Sequence, residues 1–158
     1  MAKLIIFQND YDTIDALTNV MNYVLNKEKA SYIGAQNLLL DHDPLQQIFV
    51  VRKYWNDSTK KKILHFIIAF DDDFITMESL NEEAYNICSV FPEYQIAFAV
   101  HNSTGNLHLH MAIHPLNMAT GRKLYFDNST LFFFVQKLRD IFKKYDIRIN
   151  YEFKYNNI

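Results

Sequence analysis

The chain has one cysteine, three glycines, three prolines and one tryptophan in 158 residues. A lone Cys88 excludes an internal disulfide framework and a thiolate metal site, and it points to a reducing, cytoplasmic setting. Its place in a helical apolar pattern reads as that of a small buried hydrophobe. With so little glycine and proline there is no flexible linker, and no repeat or low-complexity tract appears. No apolar run reaches the length of a membrane span, and the start MAKLIIFQND reads as a strand, not a signal peptide. A positive excess is also missing: 16 Lys and Arg against 18 Asp and Glu give a formal charge of −2. That excludes a protein coating nucleic acid by bulk electrostatics and leaves only local basic faces.

What is present is apolar and aromatic, 49% and 15% of the chain respectively, enough to bury one substantial core. The expectation is a single α/β (α+β) domain over residues 1–158. Periodicity predicts a strand over 3–8 and a helix from Asp12 to about Lys27 with Ile14, Leu17, Met21, Val24 and Leu25 as its stripe. After a polar stretch containing Gly34, Asp43 and Pro44 supply the N-cap and first-turn proline of a second helix carrying Leu45, Ile48 and Phe49. ILHFIIAF, residues 63–70, has the continuous apolar character of a central strand. A third helix with Leu80, Ala84, Ile87, Cys88 and Phe91 stops at Pro92. Strands over 94–101 and 107–113 then flank a hairpin connection at 102–106. DNST caps a fourth helix with a stripe from Leu131 to Tyr145, and 147–153 supplies a last strand. The sum is a five-stranded, mostly antiparallel sheet with about four helices.

The stretch HNSTGNLHLHMAIHPLN, residues 101–117, holds four of the six histidines. Strand alternation puts His108, His110, Ala112 and His114 on one face, and Gln95, Ala97, Ala99 and His101 on one face of the preceding strand. A symmetric turn sets His101 opposite His108 and Ala99 opposite His110, so His101, His108 and His110 converge within reach of one ion. Neutral imidazoles are common metal ligands, and three of them leave positions open for a substrate oxygen. The alanines predict a shallow depression around that ion. His114 is open between a fourth ligand, a phosphate-binding group and a rim position. His65 reads as a hydrogen-bonded core histidine and His42 as an exposed one. A metal acting as a Lewis acid on a phosphoryl oxygen still needs a nucleophile to cleave a backbone. Tyr23 lies roughly 130° off the centre of the first helix's stripe, with Lys27 and Lys29 close by to hold a phosphate.

In order along the chain, NYVLNKEKASYIGAQNLL, the lysine-rich lead into HFIIAF, and FPEYQIAFAVHNSTGNLHLHMAIHPLNMATGRKLY resemble the nuclease domain of relaxases. These are the plasmid mobilisation proteins of MobA/VirD2-like type within the HUH endonucleases. The likeness runs from about residue 3 to about residue 145. It implies site- and strand-specific nicking and rejoining of DNA at a transfer origin, in a bacterial cytoplasm. Tyr23 would be the nucleophile that forms a 5′-phosphotyrosine link, His108 and His110 the signature pair, and His101 the third ligand of a divalent ion. Mn²⁺ or Mg²⁺ is the ion expected, with Zn²⁺ and Ni²⁺ also suited to imidazole. Single-stranded origin DNA is the implied partner, together with accessory mobilisation proteins or a further C-terminal domain. Two positions depart from the common pattern: Ser103 stands where an acidic residue is frequent, and His114 where asparagine is.

Basic residues cluster at Lys27 and Lys29, at Lys60, Lys61 and Lys62, and at Arg122 and Lys123, and these are the expected DNA contacts. Phe132 and Phe133 fall off the stripe of the last helix, open between base stacking, contact with another domain and burial in this fold. A DNA-binding regulator without nicking activity, a rolling-circle replication initiator and a zinc hydrolase are the competing readings. The zinc hydrolase leaves Tyr23 unused.

Overall fold

A computed structural model describes residues 1–58, 60–71, 74–102 and 105–155. The described residues form a mixed α/β fold with six strands and four helices. The strands are β1 (Ala2–Phe7), β2 (Ala30–Gln36), β3 (Leu64–Phe70), β4 (Ile96–His101), β5 (His108–Ile113) and β6 (Ile149–Lys154). The helices are α1 (Ile14–Val24), α2 (Pro44–Tyr54), α3 (Met77–Cys88) and α4 (Asn128–Phe142), the last followed by a 3₁₀ turn. The sheet runs β2-β4-β5-β3-β1-β6, antiparallel throughout except for the parallel pair β1 and β6.

The sixth strand corrects the expected five. β2 is hidden in ASYIGAQ, where a glycine and polar residues mask the alternation; it is an edge strand, with a partner on one side only. Gly34 is required there, because a Cβ at this position would lie 2.2 Å from Cζ of Phe98, its cross-strand partner. α1 is shorter than expected, stopping at Val24. Each helix begins on the side chain its sequence offers: Thr13, Asp43, Thr76 and Asp127 all accept a backbone N–H from the first turn.

Strand alternation divides the core in two. Ile96, Phe98, Val100, Leu109, Met111 and Ile113 pack beneath α3 and α4 together with Phe134, Leu138 and Phe142. On the opposite face Ala97, Ala99 and Ala112 meet Leu17, Val20, Met21 and Val24 of α1 and Ile48 of α2. The alanines therefore do not line an open depression. They are wholly buried, and their small side chains let α1 lie close on the sheet. Cys88 is buried on the α3 side, its thiol pushed up to about 12 by desolvation. Phe132 and Phe133 stay exposed on α4 and are not buried against this fold. Among the described residues no helix is long and apolar enough to cross a membrane.

Candidate active site

The topology explains how a tyrosine on the first helix reaches histidines far along the chain. β1 and β2 are separated in the sheet by β3, β5 and β4, and α1 joins them. The helix must cross the face between them, and it packs on β4 and β5. Its last turn thereby lies over the strand ends that carry the histidines. Tyr23 is half-buried, its ring edge-on to His110 at 5.4 Å, to His65 at 5.9 Å and to His101 at 6.4 Å between centroids.

The chain then turns back sharply. Asn26 accepts the Glu28 backbone N–H through its side chain at 3.0 Å and that of Ala30 through its carbonyl at 3.1 Å. This return carries Lys29 over the turn just completed, with Nζ 5.5 Å from the centre of the Tyr23 ring. Such a placement adds a modest cation–π attraction.

The hairpin register is the one the alternation predicts: His101 pairs with His108 and Ala99 with His110. His101 and His110 are buried, with rings 4.0 Å apart, and His108 is half-buried 6.1 Å from His110. His108 also borders a hollow of about 220 Å³ shared with Lys3, Asn106 and Lys154, so the cluster is open at that end. Burial lowers the pKa of all three rings, that of His110 to about 2 with help from its neighbours His101, His65, His108 and Lys29. The imidazoles are therefore neutral at pH 7, the form that binds metals.

A divalent ion fits this donor set chemically. Among the described residues Nε2 of His101 and Nδ1 of His110 are buried without a hydrogen-bond partner. Buried polar nitrogens ordinarily have one. The His101 ring also donates to the Val24 backbone carbonyl, the kind of outer contact that fixes a ligating tautomer. Among the described residues, no group of three or more His, Cys, Asp or Glu stands in an arrangement that would hold an ion as placed.

His65 lies on the same face and is buried, as expected of a core histidine. It stacks on Phe7 at 4.6 Å, and its Nδ1 is 3.4 Å from the Tyr11 hydroxyl. Its ring is also 6.4 Å from His110, so the face carries a fourth imidazole next to the trio. Of the other tyrosines near the first helix, Tyr11 is buried in this pair. Tyr32 packs on the opposite core and its hydroxyl meets Glu78 at 3.3 Å.

His114 is not brought to the trio. It follows His110 by four residues in an extended chain, on the order of 13 Å, and it is wholly buried, not at a rim. Its pKa is lowered to about 3 by burial and then by Lys123 and Arg52, against the opposing pull of Asp57. Those three residues form a buried ion cluster that sequence reasoning missed. The Asp57 carboxylate takes Arg52 at 2.8 Å and Lys123 at 3.1 Å, and Lys123 also donates to the Lys61 carbonyl at 3.0 Å. With its side chain 7% exposed, Lys123 is an internal ion-pair partner.

The other basic positions differ among themselves. Lys27, Lys29, Lys60 and Arg122 are exposed, while Lys61 and Lys62 are half-buried and Lys61 donates to the Asn9 carbonyl at 2.7 Å. His42 is exposed, as expected. Ser103, which departs from the common pattern beside the first histidine, lies outside the described residues.

The fold and site define an α/β domain with a tyrosine poised over neutral imidazoles on a largely antiparallel sheet. A family model described as relaxase, MobA/VirD2-like, nuclease domain matches residues 23–147, and the chain belongs to that family. The match starts at Tyr23 and takes in His101, His108 and His110. No curated protein and no solved structure gives a significant match. Membership associates the chain in general terms with DNA nicking in mobilisation, with single-stranded origin DNA and with divalent-metal dependence.

Proposed function

We propose that the chain nicks one strand of a transfer origin through a covalent link to Tyr23. The phenolic oxygen attacks the phosphorus of the scissile phosphodiester and loses its proton to solvent. The bond from phosphorus to the 3′-oxygen breaks, that oxygen takes a proton from solvent, and the 5′-phosphate stays on Tyr23. Reversal by the free 3′-hydroxyl rejoins the strand. His101, His108 and His110 are the residues that would hold a divalent ion, Mn²⁺ or Mg²⁺ by preference. When bound, the ion supplies positive charge to the phosphoryl oxygens. Lys29, over the Tyr23 ring, holds the incoming phosphate near the phenol, with exposed Lys27 two residues before it in sequence as a second cation, so binding and attack share one end of α1.

The observation that carries this reading is the 5.4 Å edge-on contact between Tyr23 and His110, which joins nucleophile and imidazole cluster across 87 residues of sequence. Labelled single-stranded origin DNA and Mn²⁺, run on a denaturing gel, test it. The expected result is a covalent adduct with the natural chain and none with Tyr23→Phe. An adduct of equal yield in both would move the nucleophile elsewhere. Absence of any adduct, with DNA binding intact, would favour an origin-binding regulator.

A further inference from the structure

Beside the candidate active site, the end of the sheet is cut by a cleft that nicking leaves unused. Its outer part, about 550 Å³, lies between Asp10 and Asp12 on one side, Lys60 and Lys61 on another, and Tyr125. It shares Lys61, Leu124 and Tyr125 with an adjoining hollow of about 250 Å³ bordered by Phe7, Phe153 and His65. His65 connects this hollow to the site, being 5.9 Å from the Tyr23 ring.

The chemistry of the walls selects the occupant. Tyr125 borders both parts and is 63% exposed, so an aromatic surface is presented where a ligand enters. Lys61 is not an open phosphate clamp. Its ammonium donates to the Asn9 carbonyl and sits 5.8 Å over the Tyr11 ring. Asp10 and Asp12 lie close enough to raise its pKa against the larger lowering by burial. Asp10 and Asp12 offset the charge of that ammonium, and Lys123, which also borders the cleft, is engaged by Asp57. The Asp10 and Asp12 carboxylates are acceptors suited to the exocyclic amino group of a flat, neutral ring. Lys60, exposed at the rim, is free to meet the phosphate of the same nucleotide. Aromatic surface and cation together are the combination that binds unpaired nucleotides.

We propose that this cleft takes one unpaired nucleotide close to the nick, its base stacked on Tyr125 and its exocyclic amino group facing Asp10 and Asp12. The proposal rests on single-stranded DNA being the substrate. It gives the strand a course from Tyr23 past His65 toward Tyr125, and it favours cytosine, adenine or guanine over thymine at that position.

Fluorescence anisotropy of the whole chain with short labelled homo-oligomers of deoxycytidylate, deoxyadenylate and deoxythymidylate tests it. The natural chain should bind the first two more tightly than the third. Tyr125→Ala should weaken binding of all three by roughly 5- to 160-fold, the range for loss of one base stack, and Tyr125→Trp should restore it. Asp10→Ala with Asp12→Ala should erase the difference between deoxycytidylate and deoxythymidylate. Binding that is indifferent to Tyr125→Ala overturns the cleft assignment and leaves the substrate reading standing. Equal affinity of the natural chain for deoxycytidylate and deoxythymidylate overturns the role of Asp10 and Asp12. Failure of the natural chain to bind any of the three overturns the substrate reading, and the cleft with it.

Discussion

The rings of His101 and His110 lie 4.0 Å apart and inclined by 33°, although the two residues are diagonal and not direct partners across the hairpin. Two buried rings this close stay neutral together, since protonating one would place a charge in an apolar site beside its neighbour. Replacement of His108 or His110 by Ala should weaken Mn²⁺ binding at least about tenfold, because loss of even a group supporting a ligand costs roughly 10- to 100-fold. Calorimetric titration checks the affinity, and far-ultraviolet circular dichroism checks that the fold survives. Unchanged affinity in both variants would remove the ion from this hairpin.

Tyr23→Phe deletes one oxygen and keeps the ring that His110 and Lys29 touch. Its stability should stay within about 0.5 kcal/mol of the natural chain, the usual range for a change that leaves packing intact. Affinity for single-stranded DNA should persist while adduct formation disappears. Urea melts and anisotropy measure the first two. A large loss of stability would mean that the hydroxyl has a structural partner.

Exposed and buried lysines should respond differently to the same substitution. Lys27→Gln with Lys29→Gln removes two solvent-facing charges. The slope of log affinity against log salt should then shrink by up to about 0.7 for each phosphate of a single strand that is no longer neutralised. Lys123→Gln should leave that slope unchanged and instead destabilise the fold. Removing one member of a buried pair costs roughly 3–5 kcal/mol, and the value here should fall at or below the low end because Arg52 still neutralises Asp57. A salt slope altered by Lys123→Gln alone would place that ammonium in the DNA footprint after all.

His114 should make stability depend on pH. Its folded pKa, about 3, lies below the ordinary histidine value. Between that value and about 6.5 the unfolded chain therefore binds the extra proton. Stability must then fall as pH drops through this window, by up to about 1.4 kcal/mol for each pH unit. The charged groups facing the ring are Arg52, Lys123 and Asp57. In the same window His65, with a pKa lowered to about 4, adds a slope of the same sign. His114→Asn should flatten the dependence without removing it, and Mn²⁺ affinity should not change. Denaturant melts at a series of pH values give the slope; an equal slope in both proteins would place the titration elsewhere.

The hairpin was readable because alternation and a symmetric turn leave few choices of register, and both are local. So were the starts of α2 and α4, marked by Asp43 with Pro44 and by DNST. What sequence periodicity did not carry was anything set by distant packing. Ala97, Ala99 and Ala112 suggested open space because side-chain size says nothing about what lies above it, and α1 fills that space. The pairing of Lys123 with Asp57, 66 residues apart, has no local signature. β2 escaped because Gly34 is its one buried residue, so no apolar alternation marks it, and that glycine is demanded by Phe98 of the neighbouring strand.

α1 joins two strands that are not neighbours, and three later-numbered strands lie between them. Until β3, β4 and β5 are in place, the last turn of that helix has no floor, and Tyr23 has no imidazole beneath it. During synthesis the Tyr23 phenol emerges long before His110 does. A half-made or partly unfolded chain therefore carries the Tyr23 phenol without the imidazoles beneath it, and under the proposed mechanism the capacity to cut DNA would appear only when the whole sheet has closed. Amide exchange in the last turn of α1 should track global unfolding, so that loss of structure and loss of strand cleavage are a single event.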